Sequence, residues 1–271
     1  MKIPSTASHS DLSNDQKEIS KLIEIGLSLH QHGQLAQANK VYERILANQP
    51  THFDALHLSG VIAFQTKNFS LALDLIGRAI EVDSTSAAAY LNRGNVLKDL
   101  KRMEEALKNY DKAILIKPDF AEALTNRGNA LQELKLLNQA VADYDKAIAL
   151  KPLYADAFFN RGNALKKLKR LEDALASYDK AIEINPSFVT AHSNRGVVLH
   201  DLMRLAESLD SFDRAITIDP NNAEAHINRG NLLQELKRSE EALVSFDRDL
   251  LQTAKMEGVQ AFLPRNYIRW G

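Results

Sequence analysis

From about Asp15 onward, apolar residues recur at helical spacing in short stretches, and a polar break separates each stretch from the next. The stretch from Ala121 to Lys135 and the one from Leu137 to Lys151 form one such pair. Counted from Ile19, the pair repeats with a step of 34 residues, so that seven units start at 19, 53, 87, 121, 155, 189 and 223. A period of this length predicts a tandem-repeat architecture. Pro50, Pro118, Pro152, Pro186 and Pro220 share the thirty-second place of their units. Proline lacks the donor that continues a helix and biases the residue before it out of helical geometry, so each marks the end of a second helix. Asp119, Ser187 and Asn221 follow as N-cap candidates, with Glu122 and Glu224 in capping-box spacing after two of them. Every unit is therefore expected to be a helical hairpin.

Small residues predict how the hairpins close. A glycine recurs every 34 residues from Gly26 to Gly230. Inside a helix each costs about 1 kcal/mol relative to alanine, which calls for a packing reason. The second helices carry matching small sites: Ala38, Ala72, Ala106, Ala140, Ala174, Ser208 and Ala242 at the twentieth place, and Ala79, Ala113, Ala147, Ala181 and Ala215 at the twenty-seventh. Between them stand Tyr42, Tyr110, Tyr144, Tyr178, Phe212 and Phe246, with Ile76 as the odd member. These are expected to be core, together with Leu97, Leu131, Leu165, Leu199 and Leu233.

Around the glycine the chain reads Asn92-Arg93-Gly94-Asn95, Asn126-Arg127-Gly128-Asn129, Asn160-Arg161-Gly162-Asn163 and Asn228-Arg229-Gly230-Asn231, with Asn194-Arg195-Gly196-Val197 as a near copy. The constellation of glycine, alanine, aromatic, alanine and proline in a 34-residue helix-turn-helix resembles the tetratricopeptide-repeat family over about residues 16–253. The resemblance implies an all-α fold, a right-handed superhelical α-solenoid of about seven hairpins whose first helices line a concave, peptide-binding groove. Two places depart from the family pattern. The usual tryptophan-like fourth place holds Leu22, Leu56, Tyr90, Leu124, Phe158, His192 and His226, and the usual leucine of the seventh is arginine in five units. Leu91, Thr125, Phe159, Ser193 and Ile227 stand where the family's chaperone-tail clamp carries lysine, which disfavours that ligand.

Charge adds exclusions. Lys plus Arg total 34 and Asp plus Glu 35 in 271 residues, so no basic field is available to hold phosphates. No cysteine is present, which removes disulfides and thiolate metal sites. Residues 1–15 are polar and read as a disordered leader without a secretory h-region. No apolar run reaches the roughly 18 residues of a membrane span, and the chain reads as soluble and cytoplasmic.

Neither catalysis nor a cofactor is expected. His192 and His226 are equivalent places one unit apart, but packed helices stand roughly 8–10 Å apart, too far for two ligands on one zinc. His30 and His32 read as exposed partners of a helix C-terminus. No phosphate-cradling glycine loop, nucleophile elbow or metalloprotease pair occurs. Reading of single-stranded RNA is disfavoured as well, because Glu122, Asp156, Glu224, Asp99, Glu133, Asp201 and Glu235 map to the groove of the family and only Lys98, Lys166 and Lys167 answer them.

The asparagines are the candidate site. Asn92, Asn126, Asn160, Asn194 and Asn228 hold the sixth place of their units, and Asn95, Asn129, Asn163 and Asn231 the ninth, about one helical turn later. An amide offers both a donor and an acceptor, so two such ladders can hold a peptide backbone of any sequence, or else bridge neighbouring hairpins. Units advancing by about 10 Å would clasp roughly every third residue of an extended ligand rising about 3.3 Å per residue. The ladder also resembles that in the repeat arm of O-linked N-acetylglucosamine transferases. The expected role is thus a scaffold for an extended peptide or partner protein, with a substrate-recruiting arm for a glycosyltransferase as the alternative. Residues 254–271, where the register dissolves, read as a cap, a docking peptide or a truncated continuation.

Arginine covaries with aspartate between units. Arg93, Arg127, Arg161, Arg195 and Arg229 occur in the units that carry Asp111, Asp145, Asp179, Asp213 and Asp247 at the twenty-fifth place, whereas the first two units have neither. A partly buried guanidinium needs its charge met. An arginine–aspartate ladder is expected within or between units.

Overall fold

A computed structural model describes residues 14–236 of the chain, with side chains from Gln16 onward. The expectations for the leader, for Ala242, Phe246 and Asp247, and for residues 254–271 lie outside the described residues. Within them the protein is all-α, with thirteen helices and no strand. Two compact units divide the chain, residues 1–134 and 135–271.

The first unit holds α1 (Asn14–Gln31), α2 (Leu35–Asn48), α3 (Phe53–Gln65), α4 (Phe69–Val82), α5 (Ala87–Asp99), α6 (Met103–Ile116) and α7 (Ala121–Glu133). Here α1 pairs with α2, α3 with α4 and α5 with α6, and each following helix packs on the hairpin before it. The second unit holds α8 (Leu137–Leu150), α9 (Ala155–Lys167), α10 (Leu171–Ile184), α11 (Val189–Asp201), α12 (Leu205–Ile218) and α13 (Ala223–Glu235). There α9 pairs with α10 and α11 with α12, while α8 lies against α9 and α13 against α12.

The glycine register has the packing reason that its cost demands. A Cβ added at Gly94 would stand 2.5 Å from Cε1 of Tyr110, and at Gly60 2.6 Å from Cγ1 of Ile76. In the second unit the same addition at Gly162 meets Tyr178 at 2.6 Å and at Gly196 meets Phe212 at 2.5 Å. The aromatic of the second helix therefore packs directly against the bare backbone of the first, and Tyr110, Tyr178 and Phe212 are all buried. The described alanines of the twentieth and twenty-seventh places are buried too. Ser208, the exception among them, donates its hydroxyl to the Gly196 carbonyl at 2.8 Å.

Hairpin turns are tight because one residue turns left-handed. In the first unit this is Gly33 at φ +74°, Lys67 at +60° and Lys101 at +60°; in the second, Lys169 at +60° and Met203 at +61° do the same. The next residue reaches back to a carbonyl five positions earlier, as Asn68 to Ala63 and Arg102 to Leu97 in the first unit and Arg170 to Leu165 in the second, which closes a Schellman motif. Only at Gly33 does the sequence supply the residue for which that conformation is free of strain.

The prolines end helices as expected: the residues before them, Gln49 and Lys117 in the first unit and Lys151, Asn185 and Asp219 in the second, leave helical geometry at φ between −134° and −128°. Asp83 does so without a proline, held by its own carboxylate, which accepts from the Thr85 N–H at 2.9 Å and hydroxyl at 2.6 Å. The expected caps are corrected. Phe120, Phe188 and Asn222, not Asp119, Ser187 and Asn221, stand at the N-caps of α7, α11 and α13, and the two phenylalanines make no cap hydrogen bond. The polar residue two places before Ser187 and Asn221 instead folds the loop: Asn185 Oδ1 accepts from the Ser187 N–H and Asp219 Oδ1 from the Asn221 N–H.

Candidate interaction site

Sixth- and ninth-place asparagines meet each other rather than standing as independent rows. In the first unit Asn126 on α7 donates Nδ2–H to Oδ1 of Asn95 on α5 at 2.9 Å, and the Tyr110 hydroxyl on α6 donates to the same oxygen at 2.9 Å. In the second unit Asn194 and Tyr178 converge in the same way on Asn163, at 2.9 and 2.8 Å. One amide oxygen thus ties the first helix of a hairpin to its second helix and to the next first helix. Burial pushes both tyrosines well above their ordinary range, so their hydroxyls stay protonated donors. With each oxygen doubly engaged, Nδ2 of Asn95 and of Asn163 has no hydrogen-bond partner among the described residues. Asn129 and Asn160 are half-buried, and Asn129 is engaged in an interaction of its own.

The ends of the pattern differ. Asn92 has Val61 at the ninth place of the hairpin before it, and its Nδ2 lies 2.8 Å from Nε2 of His57. Asn228 is half-buried and has Val197 there, while Asn231 is exposed. His57 joins the candidate site through this contact, which the sequence reading missed. Burial lowers its pKa, against an opposing pull from Asp54, which favours the neutral ring that can accept from Asn92. The tyrosine hydroxyls were also read as core alone. Their signal lay in the pairing of residue types, since Tyr110 and Tyr178 share a unit with an asparagine at the ninth place, whereas Phe212 shares one with Val197.

Beside the asparagines runs the arginine ladder, and it is built between successive hairpins. Arg127 Nη1 reaches Asp111 Oδ1 at 2.7 Å in the first unit. In the second, Nε of Arg161 reaches Asp145 and Nε of Arg195 reaches Asp179, both at 2.6 Å, and Nε of Arg229 reaches Asp213. Each aspartate belongs to the repeat before its arginine, which excludes the same-repeat pairing. Arg161 and Arg195 add a second bond, from Nη1 to the Ser177 and Ser211 hydroxyls at 2.7 and 2.6 Å. The arginine side chains in these pairs are only 20–25 % exposed and the aspartates 47–59 %.

Other candidates have structural roles. His192 and His226 are buried and stand with Nε2 at 3.0 and 2.9 Å from the carbonyls of Pro186 and Pro220, holding the loop that precedes their helix. His30 lies 2.9 Å from Oε1 of Gln65, and His32 2.7 Å from the Ser28 carbonyl. No group of three or more His, Asp or Glu side chains is placed to hold a metal ion among the described residues. Burial lowers the pKa of Lys166, and Glu224 and Asp201 oppose it, so that acids and base on the first-helix face of the second unit offset one another. No described helix is long and apolar enough to cross a membrane.

Comparisons with known proteins agree with this geometry. Residues 155–188 and 211–244 match families described as tetratricopeptide repeat, residues 94–135 and 136–169 match one described as TPR repeat, and residues 31–113 match anaphase-promoting complex, cyclosome, subunit 3. A UDP-N-acetylglucosamine–peptide N-acetylglucosaminyltransferase of Caenorhabditis elegans is 34% identical over 95 residues, which is 35% of this chain and 8% of the relative. Among solved structures, pilF of Pseudomonas aeruginosa aligns with a TM-score of 0.72 at 19% identity, covering 81% of this chain and 100% of that one. A tetratricopeptide repeat protein from Parabacteroides merdae aligns at 0.66 and 18%, covering 90% and 95%. YrrB, a TPR protein with an unusual peptide-binding site, aligns at 0.56 and 23%, covering 68% and 95%.

Proposed function

The chain belongs to the tetratricopeptide-repeat family, and from that premise we propose that it is a non-catalytic scaffold that holds an extended segment of a partner protein along the asparagine face of its first helices. The observation that carries the reading is the division of labour within each of two ninth-place amides, that of Asn95 and that of Asn163. In each, the oxygen is consumed by the fold, which fixes the plane of the amide, and the nitrogen is left with two donors to offer. Donors with fixed orientation suit the carbonyls of an extended peptide, which every sequence supplies. That YrrB has a peptide-binding site supports the class of ligand.

Replacing Asn95 and Asn163 by aspartate tests this, since Asp keeps the oxygens that Tyr110, Asn126, Tyr178 and Asn194 use and removes only the outward donors. Partner capture from native extract by the double variant should fall about thirtyfold, as expected for the loss of two hydrogen bonds worth roughly 1 kcal/mol each, with the helical circular dichroism unchanged. Equal capture would leave the asparagines as bridges alone. A second reading, a substrate-recruiting arm of a protein O-glycosyltransferase, rests on the 95-residue likeness to the worm transferase. Glycosyltransferase activity co-purifying with the chain would favour it.

A further inference from the structure

The arginine ladder begins one rung short. Arg93 on α5 is the first ladder arginine, and the place from which its aspartate should come, the twenty-fifth of the preceding repeat, is Gly77 on α4. Nε of Arg93 is buried and has no hydrogen-bond partner. The equivalent atom of Arg161, Arg195 and Arg229 is the one that meets the aspartate. A Cβ built at Gly77 meets nothing within 4 Å, so the place from which an aspartate side chain would start is open. Nearby acids hydrogen-bond elsewhere: Asp74 faces Arg78 at 3.7 Å, and Glu105 holds Arg102 through two bonds of 2.6 and 2.7 Å and acts on Arg93 only through space. Asn109, which occupies the place of Ser177 and Ser211, turns its Nδ2 to the Glu105 carbonyl.

The geometry points to a carboxylate-binding notch at Gly77 and Arg93, which takes an aspartate or glutamate side chain of a partner polypeptide in place of the aspartate that this repeat lacks. Charge complementarity selects the occupant. The guanidinium is permanently charged and its Nε–H is the donor through which three sibling residues bind a carboxylate, so a neutral or cationic side chain leaves that donor without a charged partner. The notch is a different site from the asparagine face and stands whether or not that face binds peptide.

The Nε–Hε resonance of Arg93, identified by its loss in Arg93→Lys, reports occupancy. Titration with N-acetyl-aspartate N-methylamide at low salt should shift it saturably, and N-acetylglycine, which presents a C-terminal carboxylate, should shift it less. In Gly77→Asp the internal carboxylate fills the notch, and the response should be lost; in Gly77→Ala it should persist. Gly77→Asn, which offers an accepting oxygen without charge, replaces Gly77→Asp if that variant does not fold. A shift that never saturates, one that the exposed Arg78 and Arg102 share equally, or one that survives in the filled variant would overturn the assignment, and an equal response to N-acetylglycine would overturn the side-chain source.

Discussion

The first and third hairpins of the N-terminal unit use the same glycine–tyrosine contact and differ in what surrounds the tyrosine hydroxyl. Tyr110 donates to Asn95, which also receives Asn126, whereas Tyr42 has Leu27 at the ninth place of its repeat and its hydroxyl is buried without a partner. The backbone closes equally well in both. Register of small and large apolar residues is therefore enough to form a hairpin, and the polar ladders are a second layer, present from α5 onward, that joins one hairpin to the next. That separates what makes the fold from what the first-helix face can do.

The largest test of the comparison attacks what the hairpins share. Gly94→Ala drives a methyl into the buried Tyr110 ring and should destabilise by about 1–3 kcal/mol in chemical unfolding, whereas Gly77→Ala, with open space around it, should stabilise by about 0.5–1 kcal/mol. Next comes what differs. Tyr110→Phe should cost about 1 kcal/mol, because it takes a donor from a half-buried network, while Tyr42→Phe, which removes an unpaired buried hydroxyl, should cost nothing or stabilise. Equal losses would mean that the hydroxyl environment is not what separates the hairpins.

A double-mutant cycle on Arg161 and Asp145 should give a coupling of about 0.5–1 kcal/mol, kept small because half of each aspartate is in water. The cycle on Arg161 and Asp179 should give none. The smallest effect is that of pH. The folded pKa of His57 lies below its ordinary 6.5, so the unfolded chain binds the extra proton first, and the contribution of the neutral ring, complete above that value, is lost as pH falls through the window down to the folded pKa. His57→Gln should flatten the stability profile there.

Hairpins, helix ends and the buried face were legible because they depend on residue volume and backbone chemistry at fixed intervals, as Gly94, Tyr110 and Pro118 illustrate. Caps were less so: Asp119 and Phe120 compete for one place, and only backbone geometry decides between them. The direction of the arginine ladder was not legible at all. Arg161 is compatible in sequence with Asp145 and Asp179, and which aspartate it reaches depends on how one hairpin is rotated against another. His57 escaped notice for a related reason, since its partner Asn92 is 35 residues away and in another repeat.

Arginine reaching backward and aspartate forward give a repeat that carries both residues a head and a tail. Residues 155–188 carry Arg161, which grips Asp145 before them, and Asp179, which is gripped by Arg195 after them. A tandem copy of that segment arrives with both halves of its joint, so gene duplication lengthens the array without leaving a charge stranded at the new seam. Expansion and contraction by whole repeats are then near-neutral steps for this ladder, and a crossover out of phase with the repeat is not.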